Sequence, residues 1–446
     1  MNLHNDPSNT NAYTRRAFLA NSAVLASAAV TVPAFLQSSA FALPKAAMGM
    51  SSIADTDEDT ILVVVQLSGG NDGLNTVIPF RDDNYRRSRP NIALPTDSLH
   101  ILSRYGKRAT SDIGLHPSLT GFRELYDDGL CAIIQGVGYP NPNRSHFTSM
   151  DIWHTADTSA TGDGWIGKYI DAQCNGVGAG KGGNTPDPAE AIEPPIAIGS
   201  TIPHALEGRK IMPVSFESAD MFAWAGTKYS KDLAEPYDQL MHDAPADDDH
   251  SNNAFLMRTA MDAQISSKTI RKAVDQKPLV KYPNSKLSTQ LSMVGSMIRA
   301  DMKSRVYYTS HGSFDTHANQ GNVQGSHARL LQQLADAVNA FYKDLKAQGN
   351  DKRVVVMCFS EFGRRVSQNA SGGTDHGTAA PMFLFGPSVT PGIHGRQPSL
   401  TNLDNGDLKY TIDFRSVYAE LLDSWMGAKS RDVLGRSYKH LRVLQS

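Results

Sequence analysis

Short apolar runs rich in β-branched residues constrain the fold of this chain more than any other feature. The first, Ile61–Leu67, is almost continuously apolar, which is the pattern of a strand buried on both faces of a sheet. Similar runs recur at residues 131–135, 306–309, 354–359 and 382–385. Because both faces of such a sheet must be covered, these runs predict helices packed on either side of it.

Helical periodicities lie between these runs. Apolar residues repeat at three- and four-residue spacing before Gly349, namely at Leu330, Leu334, Val338, Phe341 and Leu345. A second helix is expected to begin at Asn284 or Ser285, and a third after Asp413 as its N-cap. Strands that alternate with helices predict an α/β fold, with a doubly wound, mostly parallel sheet and helices on both faces.

The N-terminus resembles an export signal. Arg15 and Arg16 form a twin-arginine pair before an apolar stretch that runs to about Leu36, and Ala40-Phe41-Ala42 supplies a small-residue cleavage pattern. We therefore expect a twin-arginine signal peptide over residues 1–42, a linker over 43–60, and a mature protein in the periplasm or secreted. The expected partner during export is the twin-arginine translocase. An uncleaved anchor is the alternative, but polar residues interrupt the stretch, and no stable membrane span is expected after cleavage.

Removal of the signal leaves about 400 residues, enough for one large α/β domain over 61–446. Two stretches interrupt the strand–helix pattern: residues 175–195 are rich in Gly, Pro and Asp, and residues 242–253 are acidic. We interpret the segment from about 162 to 305 as an insertion or cap. The Asp247–Asp249 run is typical of a solvated loop, since it lacks the Gly and Glu of a calcium-binding loop.

Composition excludes several classes of function. A formal net charge of -2 leaves no basic excess for binding nucleic acid. The 3 cysteines cannot form a disulfide framework, and Cys131 and Cys358 lie in apolar runs as expected of inert core thiols. A redox enzyme ranks last, because no Gly-x-Gly-x-x-Gly opens a helix after a strand and no cysteine cluster is present.

Polar residues follow several of the predicted strands. In open α/β sheets ligands bind beyond the carboxyl ends of the strands, so these residues are expected to meet at one edge. The candidate metal ligands are Asp72, Asp315, His317, Glu361 and His376. Mixed oxygen and nitrogen ligands suit zinc, manganese or iron, and an all-oxygen subset suits calcium or magnesium. Singly, each has a plainer interpretation, such as an Asx turn for Asp72 or a local ion pair between Glu361 and Arg364.

Ser145 is expected at the start of a helix, where it is a candidate nucleophile. A helix N-terminus favours an alkoxide and an incoming phosphate or sulfate. Arg144, predicted to act in catalysis, and Asn143 are placed to bind the same anion. His146 and Arg364 complete the predicted substrate-binding set. The alternative for Ser145 is a simple N-cap.

These motifs resemble those of DUF1501, a twin-arginine-exported family of unknown function, over about residues 61–435. The shared segments are Gly-Gly-Asn-Asp-Gly-Leu-Asn, Arg-Ser-His-Phe, Phe-Asp-Thr-His, Ser-Glu-Phe-Gly-Arg and Gly-Gly-Thr-Asp-His-Gly. The family is similar in fold to alkaline phosphatases and sulfatases, which use a two-metal or calcium site and a Ser, Thr or formylglycine nucleophile.

The resemblance implies roles for four residues: Asp72 and Asp315 as metal carboxylates, Ser145 as the nucleophile, and His376 as the late histidine ligand. The chain departs from the superfamily pattern in the short spacing of Asp315 and His317 and in Glu361-Phe362-Gly363, which stands where Asp-His-Gly is usual. These departures put the second metal and standard phosphatase activity in doubt. No cysteine stands at the nucleophile position, which argues against a standard sulfatase.

Two functions follow as expectations. The first is an exported, metal-dependent hydrolase of a phosphate or sulfate ester on a small molecule or polymer, with zinc, manganese or calcium as the ion. The second is a non-catalytic binding or assembly protein of the cell envelope that keeps the fold and a degraded site.

Overall fold

The computed structural model describes residues 59–103, 110–177, 194–218 and 269–445. The predicted signal peptide, nearly all of the linker and the acidic run at Asp247–Asp249 lie outside these residues. No helix in the described ranges is both long and apolar enough to cross a membrane.

The described strands are β1 (Ile61–Leu67), β2 (Val77–Ile78), β3 (His100–Ser103), β4 (Thr110–Leu115), β5 (Cys131–Gly138), β6 (Ile196–Ile198), β7 (Val214–Phe216), β8 (Val306–His311), β9 (Val354–Ser360), β10 (Ala380–Phe385), β11 (Gly392–His394), β12 (Leu403–Asp404), β13 (Asp407–Leu408) and β14 (Ile412–Asp413). The described helices are α1 (Asp83–Ser88), α2 (Thr120–Asp127), α3 (His146–Thr155), α4 (Trp165–Val177), α5 (Lys286–Arg299), α6 (Ser326–Gln348), α7 (Phe414–Ser424) and α8 (Ser430–Leu434).

Nine of these strands form the main sheet, in the order β11-β5-β10-β9-β1-β8-β6-β7, with β14 also paired to β5. Every pair in it is parallel except those of β10, which runs antiparallel to β5 and β9. The prediction of a mostly parallel α/β sheet is therefore confirmed.

Both faces of the sheet are buried, as the unalternating strand sequences predict. Val63 and Val65 of β1 face the core beneath α2, α5 and α6, while Leu62 and Val64 face the core beneath α3, α4 and α7. The predicted helix starts at Ser285 and Asp413 are confirmed, and both side chains accept capping hydrogen bonds.

The segment predicted as an insertion contributes to this sheet. Its strands β6 and β7 extend the edge beyond β8, and α5 packs against α6. Residues 178–193 and 219–268 of the same segment lie outside the described part of the chain.

The carboxyl ends of β1, β8 and β9 lie side by side. In register, Leu67 is the partner of both His311 and Ser360, the last residues of β8 and β9. β5 is antiparallel to β10, which is antiparallel to β9, so β5 also ends at this edge before leading into α3. Four segments of polar sequence are thereby brought to one side of the sheet.

Candidate metal centre

The loop after β1 packs closely on the loop after β8 because glycines start it. Gly69 has a φ of +114°, a conformation that side-chain-bearing residues rarely adopt, and a Cβ there would lie 2.6 Å from the backbone nitrogen of Asp315. The Gly69-Gly70 turn is therefore what allows Asp315 to approach the centre of the edge.

Three histidines surround one carboxylate oxygen at this edge. Asp315 Oδ1 lies 3.0 Å from His317 Nε2, 3.1 Å from His376 Nε2 and 3.5 Å from His146 Nε2. His317 Nε2 and His376 Nε2 are themselves 2.9 Å apart. We call these four residues the histidine–aspartate cluster. They come from the loops after β8 and β9 and from the start of α3.

Each imidazole is oriented by a hydrogen bond from its other nitrogen. His146 Nδ1 lies 2.8 Å from Glu361 Oε1, His317 Nδ1 lies 3.2 Å from Asp375 Oδ1, and His376 Nδ1 lies 2.8 Å from the Arg144 carbonyl oxygen. Carboxylate and carbonyl oxygens only accept, so each Nδ1 is the donor. In its neutral form each ring then presents an Nε2 lone pair to the cluster, which is the usual arrangement of metal-bound histidines.

The Nε2 lone pairs of the three imidazoles and the Asp315 carboxylate repel one another unless a proton or a metal ion lies between them. The 2.9 Å contact between His317 Nε2 and His376 Nε2 needs either a proton on one ring or a metal ion. His146 Nε2 is buried and has no hydrogen-bond partner among the described residues. The ligand atoms of His146, Asp315 and His376 all lie within 4.8 Å of one another. Tetrahedral coordination at zinc–nitrogen distances separates ligand atoms by roughly 3.3 Å, and the contacts of Asp315 Oδ1 with the three imidazoles, 3.0 to 3.5 Å, lie close to this value. The donor set therefore fits a metal ion.

The electrostatics of the cluster favour an ionised Asp315. Burial raises the pKa of this carboxyl, but the hydrogen bond and the positive charge of the Arg364 guanidinium outweigh burial, and the pKa falls to about 2. The hydrogen bond that His146 donates to Glu361 raises the pKa of His146, whereas burial lowers that of His376. The two rings therefore differ in their affinity for a proton.

Glu361 lies beside the cluster and supports it. Its Oε1 accepts hydrogen bonds from His146 Nδ1 and from the Gly69 backbone nitrogen, both at 2.8 Å. Its carbonyl oxygen accepts from the Ser149 hydroxyl at 2.6 Å, which ties α3 to the end of β9. The structure thus gives this predicted ligand the role of orienting His146.

Asp72, the other predicted carboxylate ligand, is not brought to the cluster. It is fully buried, and its Oδ2 accepts hydrogen bonds at 2.6 Å from Arg89 and from Gln320. Burial raises the pKa of Asp72, but the Arg89 guanidinium more than compensates and the pKa lies below its usual range. The partners of Asp72 are therefore Arg89 and Gln320, whereas three imidazoles surround Asp315.

The predicted anion-binding residues have structural partners as well. Arg364 is buried and donates to the backbone carbonyls of Gly69, Gly70 and Thr374 in addition to Asp315 Oδ1 at 2.6 Å. The Arg144 guanidinium forms an ion pair with Asp407. Asn143 Oδ1 accepts from the backbone nitrogen of Ser145 at 2.8 Å, which shapes the turn into α3.

Ser145 is the N-cap residue of α3, as predicted. Its side chain is exposed and makes no capping hydrogen bond. The hydroxyl therefore stays available next to His146, the first residue of the helix. Its assignment as a nucleophile remains a prediction.

Sequence reasoning missed three residues that organise the site: Arg89, Asp375 and Asp407. Asp375 directly precedes the candidate ligand His376, so its position in the sequence could have indicated a role at the site. Arg89 and Asp407 lie in segments with no motif, and only the packing of distant loops brings them to their partners.

Comparison with known proteins finds a family that part of the chain resembles. Residues 229–435 match the family described as Protein of unknown function (DUF1501). The resemblance inferred from the motifs is thereby confirmed over that range, which contains Asp315, His317 and His376. No curated protein matches the chain.

Solved structures similar to this chain include the PsFucS1 sulfatase from Pseudoalteromonas sp., at 10% identity, 84% coverage of this chain and 68% of that one, with a TM-score of 0.34. The alkaline phosphatase of the Antarctic bacterium TAB5 matches at 12% identity, 75% and 94% coverage, and a TM-score of 0.29. The lipoteichoic acid synthase LtaP of Listeria monocytogenes matches at 9% identity, 89% and 78% coverage, and a TM-score of 0.32. The predicted likeness to phosphatases and sulfatases is found, but at these TM-scores no residue role follows from it.

Proposed function

We propose that this chain is a metal-dependent hydrolase of a phosphate or sulfate ester. The observation that carries the proposal is the convergence of three Nδ1-tethered imidazoles and the Asp315 carboxylate beside the exposed Ser145 hydroxyl. The proposed ligands are His146, His317, His376 and Asp315. Three nitrogen donors favour zinc over calcium, which prefers an all-oxygen shell.

The surrounding residues support chemistry on an anionic ester. When bound, a divalent ion would polarise the ester oxygen and activate a hydroxyl or water. The N-terminal end of α3 carries Ser145 and favours the negative charge of a phosphate or sulfate group. Glu361 and Asp375 hold the His146 and His317 rings, so little reorganisation is needed for the ligands to act.

Ester hydrolysis by the purified chain tests this proposal. We expect p-nitrophenyl phosphate or p-nitrophenyl sulfate to be cleaved with zinc or manganese bound, and cleavage to stop after chelation. If Ser145 is the nucleophile, Ser145→Ala should lower kcat by at least about 1000-fold. Ser98→Ala is the control, because the Ser98 hydroxyl donates to the Pro95 carbonyl and Ser98 is not part of the cluster. A metal-loaded chain that cleaves neither class of ester would contradict the proposal.

A non-catalytic binding protein is the second candidate, and one observation favours it. Asp315 Oδ1 is already hydrogen-bonded to the buried Arg364, and Asp72 is neutralised by Arg89. A site with one remaining carboxylate ligand has less charge to offer a second metal ion than a two-metal hydrolase needs. Metal binding without turnover of any ester would favour this candidate over the hydrolase.

We also propose that the chain reaches the periplasm or exterior by the twin-arginine route. The Arg15-Arg16 pair and the cleavage pattern at Ala40-Phe41-Ala42 support it. Replacing both arginines with lysine should leave the uncleaved chain in the cytoplasmic fraction, whereas the natural sequence should yield a shortened exported form. Equal export of both forms would refute the assignment.

A further inference from the structure

Asp407 on β13 is a buried carboxylate that lies between two arginines. Its side chain is 1% exposed, and burial raises its pKa. It forms an ion pair with Arg144 and lies 3.6 Å from Arg365 Nε. Apart from these contacts, neither carboxylate oxygen has a hydrogen-bond partner among the described residues. The two arginines do not fully offset the desolvation of this carboxylate, so its buried position is best explained by what the arginines themselves hold.

Both arginines belong to segments that hold His376. The Arg144 carbonyl oxygen accepts the hydrogen bond from His376 Nδ1 at 2.8 Å. Arg365 follows Arg364, whose backbone forms a β-bridge with His376, and the Arg365 nitrogen donates to the Asp375 carbonyl at 3.0 Å. Asp407 therefore joins the two segments that fix the ring and the backbone of this histidine.

We propose that Asp407 is a positioning residue for the metal centre, acting through Arg144 to set the tautomer and orientation of His376. The inference rests on the metal site of the proposed function. The Arg144 side chain is 40% exposed, and the residue lies between Asn143 and Ser145 just before α3, so without an anchor its carbonyl would lose a fixed position. His376 would then be free to place its proton on Nε2, which removes the lone pair that faces Asp315.

Metal affinity measured by competition with a chelator provides the first test. Asp407→Asn keeps the shape of the side chain but removes its charge, and we expect a loss of zinc affinity of about 10-fold, as for other residues that orient ligands. Arg144→Ala should give a similar loss of zinc affinity, whereas Arg144→Lys should keep most of the natural affinity. The double variant Arg144→Ala/Asp407→Asn should bind zinc no more weakly than either single variant, because both changes break the same link. Asp404→Asn, an exposed carboxylate on the same hairpin, is the matched control and should bind zinc normally.

A second measurement separates failure of this inference from failure of the metal site. In the metal-free chain, ¹⁵N NMR of labelled histidine reports the tautomer of His376, whose signal is assigned by its loss in His376→Gln. We expect the Nδ1-protonated form in the natural chain and a mixture in Asp407→Asn. If the natural chain binds no metal, the proposed function fails while this readout still decides the role of Asp407. An unchanged tautomer together with unchanged zinc affinity in Asp407→Asn would overturn the inference.

Discussion

Replacing His376 with alanine is expected to lower zinc affinity by at least about 100-fold, since loss of a direct ligand should exceed the 10- to 100-fold cost of losing a residue that orients one. His376 Nε2 lies 3.1 Å from Asp315 Oδ1 and 2.9 Å from His317 Nε2, so its removal takes one of the four donor atoms out of the cluster. Isothermal titration and the metal content of the purified variant both measure the effect.

Two comparisons make that prediction specific. His440 also pairs with a carboxylate, at 2.8 Å from Asp423 Oδ2, but belongs to no cluster of metal-ligating side chains within the described residues. His440→Ala should therefore bind zinc as the natural chain does. Glu361→Gln should give an intermediate loss, because it weakens the hold on His146 without removing a ligand. Stoichiometric, unweakened binding by a folded His376→Ala variant would exclude His376 from the centre.

Replacing Arg89 with methionine is expected to destabilise the fold by about 3–5 kcal/mol, the usual cost of leaving a buried charge without its partner. The Arg89 and Asp72 side chains are both 0% exposed, and their charged atoms lie 2.6 Å apart. Arg89 also donates to the Val366 and Arg365 carbonyls, so the loop after β9 loses contacts as well. Urea denaturation at neutral pH measures the change in the free energy of unfolding.

The pH dependence and a matched ion pair check this explanation. Without Arg89, burial raises the pKa of Asp72 in the folded state, so the variant should recover part of its lost stability as the pH falls and Asp72 takes up a proton. Arg123 and Asp127 pair at the same 2.6 Å distance on α2, but with side chains 29% and 48% exposed. Arg123→Met should therefore cost no more than about 1 kcal/mol. Equal losses for the two variants would show that burial of the pair is not the cause.

The apolar runs of the sequence are enough to predict the sheet and the edge at which the polar residues meet. Because the run Ile61–Leu67 is apolar at successive positions, both faces of its strand must be buried. Parallel strands then place their carboxyl ends at the same edge of the sheet. Strand order alone therefore predicts that Asp315, His317, Glu361 and His376 lie at one edge of the sheet, before any of their contacts is known.

Which of those side chains contact one another depends on how distant loops pack in the folded chain. Asp72 follows β1 as predicted, but Arg89, which is distant from any motif, neutralises it in a buried layer. His146, which the sequence analysis predicts to bind substrate, lies in the cluster, where its Nδ1 donates a hydrogen bond to Glu361. Local sequence places a residue at the end of a strand, whereas the pairing of charges depends on packing between loops far apart in the chain. That pairing decides which side chains belong to the histidine–aspartate cluster.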